Sequence, residues 1–410
     1  MGDDCDYSTS LPFEVHRILL NFLRNSDLKS ARLVNKQWSG VAATVLVLWH
    51  HLAVDPAKPA AGSPSLDALL DSHPKWFLDN IRVVTITNKM QSASPPGPAA
   101  RRVASNLLRL ICSLPRDGLR RFKSQHYKLD SDILLLLLRT QSHISDLTFY
   151  LDEDEQCGLL RSATVRENLE RLRKLDLLVD RSYQGLVEWF MHAPVLQSLY
   201  IEGNTRDGGI KFLGWAATAG FTQLKLRSLK FGQMDLANFA PDGIAESLDL
   251  AFLESVIFEH CVSAGPLLRS MARGYKAANT SCLTNFVHAA TQIFKDECRA
   301  AEELFESVGG LKSVISYCTE DSLSDLKCLK RSGQSLRLVN FLAVDKDQAY
   351  SPSELEELVS TCNRLDKIRL SLFNFSVIVD QLGPFEPYNL AAFEGLEESL
   401  CWLVIQLFIP

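Results

Sequence analysis

The sequence predicts an α/β architecture: a small N-terminal helical block, then a curved solenoid with parallel strands on its concave face and helices on its convex face. Three observations predict it. Residues 11 to 38, LPFEVHRILLNFLRNSDLKSARLVNKQW, carry apolar residues at helical spacing. A unit of the form apolar-x-x-apolar-x-apolar recurs from residue 144 to residue 370. Helical patterns separate successive copies. No single copy buries its apolar face, so the copies must stack.

Composition sets outer bounds. The chain has 410 residues, 46% apolar and 22% charged, which suits a folded chain of two or more domains or one long repeat array. A net charge of −6 and a pI near 5.9 argue against a nucleic-acid binder with a broad basic face. The opening MGDDCDYSTS is acidic and polar, unlike a secretion signal, and Asp6 stands where a myristoylation signal wants Ser or Thr. The run Ile133 to Leu138 is too short to span a bilayer, and Val41 to Val54 is interrupted by His50 and His51. The ten cysteines are scattered without a CxxC pair. They are expected to be reduced thiols in an intracellular protein, cytoplasmic, nuclear or both.

In the helical block, Pro12 suits a first helical turn and Glu14 complements the helix dipole. Val15, Ile18, Leu19 and Phe22 follow the i, i+3, i+4, i+7 spacing of one apolar face. Asn25 or Ser26 can cap a second helix carrying Leu28 and Ala31, and Asn35 a third carrying Trp38, Val41 and Ala42. The pattern L-P-x-E-V-x-x-I-L, then Leu23, then D-L-x-x-x-R-L-V-N-K-x-W resembles the F-box over residues 8–50. Leu11, Pro12, Glu14, Val15, Ile18, Leu19, Leu28, Val34 and Trp38 stand at that family's positions, while His16 replaces a frequent aliphatic residue. The resemblance implies that the block docks onto the adaptor subunit of SCF-type ubiquitin ligases. Leu11, Pro12, Ile18, Leu19, Val34 and Trp38 are then the residues that bury against the adaptor or hold the block in shape.

Residues 53 to 65 are rich in Pro, Ala, Gly and Ser, so 51–80 reads as a linker with a lead-in helix. QSASPPGPAA, at 91 to 100, reads as an exposed insertion in a repeat domain covering 81–410. In that domain the anchors are Ile144/Leu147/Phe149, Leu172/Leu175/Leu177, Leu196/Leu199/Ile201, Leu226/Leu229/Phe231 and Leu253/Val256/Phe258. Weaker copies at Leu283/Phe286/His288 and Leu311/Val314/Ser316 precede Leu336/Val339/Phe341 and Leu365/Ile368/Leu370. An earlier copy sits at Ile81/Val84/Ile86. First anchors from 144 to 365 give eight steps over 221 residues, about 28 each, within the ~20–29 of leucine-rich repeats. Asn204 and Cys261 occupy that family's Asn/Cys position, where Asp152, Asp180, Thr291 and Thr319 stand in other copies. Between strands, SYQGLVEWFMHAP (182–194) and SPSELEELVSTC (351–362) read as helices, the second capped by Ser351 and opened by Pro352. The last segment, SLCWLVIQLFIP, reads as a final strand or as the product of an imperfect gene model.

No catalytic chemistry is expected. Gly208-Gly209 and Gly309-Gly310 lack the Lys-Ser/Thr of a phosphate-binding loop. His50-His51 is read as part of a linker, since consecutive residues on a helix point apart and no carboxylate cluster adjoins. Asp152 to Glu155 is read as a solvated loop, and Cys261, although beside His260, should point into the repeat core.

An F-box followed by leucine-rich repeats resembles the substrate receptors of SCF ubiquitin ligases, among them the fungal type. That resemblance implies a non-catalytic subunit without cofactors. Its partners are the adaptor, through it a cullin, and an unknown protein target, with no nucleic acid or membrane. A scaffold outside ubiquitination and a small-GTPase regulator remain alternatives. Strand alternation puts the residues between anchors on the concave face: Asp146, Tyr150, Lys174, Asp176, Tyr200, Glu202, Lys230, Glu259, Tyr317, Asn340, Lys367 and Arg369. Tyr150, Tyr200, Glu202, Tyr317, Lys367 and Arg369 are the target-binding candidates, and the Lys367–Arg369 pair could hold an acidic or phosphorylated segment.

Overall fold

The computed structural model describes residues 12–20, 27, 30–31, 33–36, 38–42, 50–54, 70, 78–79, 81–86, 98–124, 129–151, 159–179, 189–190, 192–203, 223–237, 248–278, 281–289, 295–318, 324–343, 350–371 and 402–405. The chain divides into two compact units, Met1–Tyr150 with Gly158–Leu172, and Leu151–Cys157 with Arg173–Pro410.

The first unit holds helix α1 (Phe13–Leu20) and strands β1 (His50–Val54), β2 (Ile81–Ile86), β3 (Arg121–Ser124) and β4 (Asp146–Leu151). Helices α2 (Pro98–Ser113), α3 (Ser131–Thr140) and α4 (Ala163–Leu169) belong to it as well. Its strands pair in parallel in sequence order. Two of them depart from expectation. β1 occupies the start of the expected linker, so the sheet begins at residue 50 rather than 81. β3 is an additional copy, with Leu119 and Phe122 buried as anchors and a buried Ser124 where the third apolar anchor would stand. The insertion read at 91–100 overlaps α2, which already begins at Pro98.

The second unit continues with β5 (Lys174–Val179), β6 (Ser198–Gly203), β7 (Ser228–Gly232), β8 (Ser255–Glu259), β9 (Asn285–Ala289), β10 (Ser313–Cys318), β11 (Leu338–Ala343) and β12 (Lys367–Ser371). These eight strands are parallel and paired in sequence order. β13 (Trp402–Ile405) closes against β12 in the antiparallel sense, so the expected final strand is present. Helices α5 (Gly265–Ala278), α6 (Lys295–Ser307) and α7 (Pro352–Thr361) lie between strands. Of the helix read at 182–194, Trp189 and Phe190 are helical and fully buried; residues 182–188 lie outside the described residues.

A single backbone device sets the register. From β6 to β12, the residue before the strand and the strand's first residue both donate their N–H to one carbonyl of the preceding repeat. Gln197 and Ser198 donate to Arg173 O at 2.8 and 3.0 Å, and Arg227 and Ser228 to Gln197 O at 2.7 and 3.0 Å. The pattern continues unbroken to Asp366 and Lys367, which donate to Arg337 O at 2.8 and 3.0 Å. All three anchors of every copy from Leu172 to Leu370 are buried. Together these features make an open parallel sheet of leucine-rich-repeat type.

The weak copies are repaired from the helix side. Phe231, Phe258 and Phe286 form an aromatic row, with centroids 6.0 and 6.2 Å apart. Ser316 then leaves a gap, and Phe305 of α6 reaches into this region, meeting Phe286 at 5.0 Å and Phe341 at 6.2 Å. A large buried aromatic thus substitutes for a missing anchor and keeps the interior filled.

Candidate functional site: exposed faces of the helical block and the sheet

The helical block has its own small core. Leu20, Ala31, Val41 and Ala42 are buried together, with Trp38 packed against them. His16 is fully buried, its ring edge-on to Trp38 at 5.5 Å. The histidine at a frequently aliphatic position therefore partners the indole inside the block. Asn35 caps as expected, accepting the Trp38 N–H at 2.8 Å. Among the described residues, Leu33 (87%), Val34 (62%), Leu19 (47%) and Val15 (37%) are exposed, as is Pro12. Of the residues expected to dock the block or hold its shape, Pro12, Leu19 and Val34 are exposed and Trp38 packs against the buried cluster. Leu11 and the side chain of Ile18 lie outside the described residues. Leu33 went unnoticed because it falls off the helical period.

On the second unit's sheet, the outward residues form rows across the strands. The middle row reads Asp176, Tyr200, Lys230, Ile257, Val287, Ile315, Asn340 and Arg369. At its start lies a polar network built on Tyr200. The Lys230 ammonium sits 4.5 Å above the Tyr200 ring and 2.7 Å from Glu259. Tyr200 fits there because position 232 is glycine: a Cβ at Gly232 would come within 2.8 Å of the phenol oxygen. Burial, and then the Glu202 carboxylate that it bonds, raise the Tyr200 pKa. Gln233 donates to Glu202 at 3.3 Å, and Lys174 pairs with Asp176 at 3.5 Å. The charges of this network largely neutralise one another.

Beside the network, Ile257, Val287 and Ile315 stand adjacent and half-buried on the outer face. Sequence reading attended to polar residues there and missed them. The available signal was a β-branched residue between the second and third anchors in three consecutive copies.

Tyr150 corrects an expectation. Its strand position is outward, but the residue is only 7% exposed, and neighbouring Thr148 only 2%, so this tyrosine is not available to a target. Asp176 and Asn340 are covered as well, at 6% each. Tyr200, Glu202 and Lys367 are half-buried on the outer side. The side chains of Tyr317 and Arg369 lie outside the described residues, as do Asp152 to Glu155 and Asn204. Cys261 points into the core as expected: it is fully buried, and burial pushes its thiol up to about 12.

The first unit's outer face presents His51, Val83, Arg121 and Asp146 in one row, with Ala53, Thr85, Lys123 and Thr148 in the next. His51 is on a strand rather than in a linker. Among the described residues, no group of three His, Cys, Asp or Glu side chains converges on a metal-sized site, and no helix is long and apolar enough to cross a membrane.

No protein-family profile and no curated protein matches this chain. One similar solved structure is described as "Crystal structure of TLR13-ssRNA13 complex". Identity is 12% and the TM-score 0.32, over 74% of this chain and 43% of that one. This chain therefore aligns to less than half the length of that structure. The fold assignment rests on the strand register itself.

Proposed function

We propose that this chain is a non-catalytic receptor that holds one protein through its repeat sheet and another through its N-terminal block. In this reading the block is an F-box that docks an SCF-type adaptor, and the sheet's outer face holds a target for ubiquitination. The observation that carries it is the set of exposed apolar side chains, Leu19, Leu33 and Val34, beside the buried cluster of Leu20, Ala31, Val41 and Ala42. Several exposed aliphatic groups in so small an element suit a surface that a partner covers. The repeat sheet, with its half-exposed Ile257, Val287 and Ile315 beside Tyr200, supplies a second surface suited to protein contact. Catalysis would then be by proximity, the receptor raising the target's local concentration beside a ubiquitin-loaded enzyme.

The test is capture of the adaptor from cell extract by the full chain, alongside Leu19→Asp with Val34→Asp. Loss of capture with an unchanged circular-dichroism spectrum is expected, as is loss with Leu11→Ala and Pro12→Ala. Undiminished capture by the charged double variant overturns the F-box reading.

A further inference from the structure

We propose that the outer face of the first unit carries an oxyanion site, built from His51, Thr85 and Lys123, that takes a phosphoryl group. The site goes beyond the receptor reading and stands whether or not the helical block docks an adaptor. Its three groups come from three successive strands, β1, β2 and β3. Parallel register puts Thr85 directly beside Lys123, and His51 one row away, on the same side of the sheet. Neighbouring strands lie about 4.8 Å apart, so the three side chains leave the sheet side by side, within reach of one small anion. The His51 Nε2 lies 2.7 Å from the Thr85 hydroxyl, which fixes the ring.

Charge separates this face from that of the second unit. There, Lys174 and Lys230 each find a carboxylate on the same face. Here the one outward carboxylate of the described strands, Asp146, is taken up by Arg121, whose Nε and Nη2 both reach Oδ2 at 2.6 Å. Lys123 makes no ion pair among the described residues. The uncompensated field is felt at His51: burial lowers its pKa, and Lys123 and then Arg121 lower it further. A bound phosphoryl group would reverse the electrostatic part of this, accepting from the Lys123 ammonium and the Thr85 hydroxyl while its negative charge favours a protonated His51 behind the threonine. With Nε2–H donating to Thr85 Oγ1, the threonine hydroxyl is free to donate to the same anion. The ammonium gives the oxyanion a charge-assisted bond, and an imidazolium donating to Thr85 polarises the hydroxyl that donates to it. The groups facing His51 are Thr85 from β2, Arg121 and Lys123 from β3, and Asp146 beyond them, so no acid on these strands competes for it except one already held.

The experiment titrates the full chain with inorganic phosphate and follows the His51 imidazole by NMR. A saturable shift is expected, together with a rise in the His51 pKa. Lys123→Met should weaken binding about tenfold. Asp146→Asn, which frees Arg121, should tighten it. Both replace exposed or half-exposed groups, and their circular-dichroism spectra check folding. A phosphoserine peptide binding more tightly than inorganic phosphate supports a protein-borne ligand. Equal binding also supports the site and assigns it to free phosphate. No saturable shift, or an identical response in Lys123→Met and the unaltered chain, overturns the proposal.

Discussion

His288 occupies an anchor position that an aliphatic residue would normally fill. It is fully buried, edge-on to Phe258 at 5.9 Å and to Phe286 at 6.4 Å, and neither ring nitrogen has a hydrogen-bond partner. Burial lowers its pKa from 6.5 to about 4. The folded state therefore refuses a proton that the unfolded state accepts between those values. Stability is complete above pH 6.5 and is lost as pH falls toward 4, by about 3 kcal/mol over that interval. Urea unfolding at pH 7 and pH 5 should show this loss, and His288→Leu should flatten it; an unchanged pH slope in the variant would refute the account. The weak copy was visible in the sequence as a histidine in an apolar slot. Its cost was not, because desolvation depends on what surrounds the ring. Cysteines follow the same logic. Brief alkylation of the native chain should label exposed Cys112 and Cys282 while sparing buried Cys261 and Cys298, as peptide mass spectrometry would reveal.

At the scale of elements, α7 was the most legible. The Ser351 side chain accepts from the Glu354 N–H at 3.4 Å, and Glu354 accepts from the Ser351 N–H at 2.8 Å, with Pro352 in the first turn. All three residues lie within four positions, so local sequence encodes the whole device. Ser351→Ala should cost about 1 kcal/mol in chemical denaturation, with Ser351→Asp retaining most of it. β1 and β3 were illegible for the opposite reason. β3 ends on Ser124, which breaks the anchor pattern, and β1 runs into a Pro/Ala/Gly-rich stretch; each is a strand because of the β2 edge beside it. Tyr150 failed for a related reason. Alternation tells which way a side chain leaves a strand, not whether something later covers it.

For the whole molecule, repeat periodicity gave the architecture, because every copy must present anchors at matching heights. What it hid was compensation between copies, as where Phe305 of a helix makes good the small Ser316. Phe258 lies at the middle of the aromatic row, touching Phe231, Phe286 and His288. Phe258→Ala should cost about 3–5 kcal/mol and, since each repeat leans only on its neighbours, should broaden thermal unfolding of the second unit or split it in two. Calorimetry would test this; a single sharp transition at the original temperature would refute it. The bonds that carry one repeat to the next run between main-chain atoms, and their acceptors belong to residues as unlike as Arg173, Gln197, Glu254, Thr284 and Lys312. The ladder is therefore blind to side-chain identity at its own joints. Outward positions such as 257, 287 and 315 inherit that indifference, so mutation can redraw what the surface recognises while the scaffold beneath is passed on unaltered.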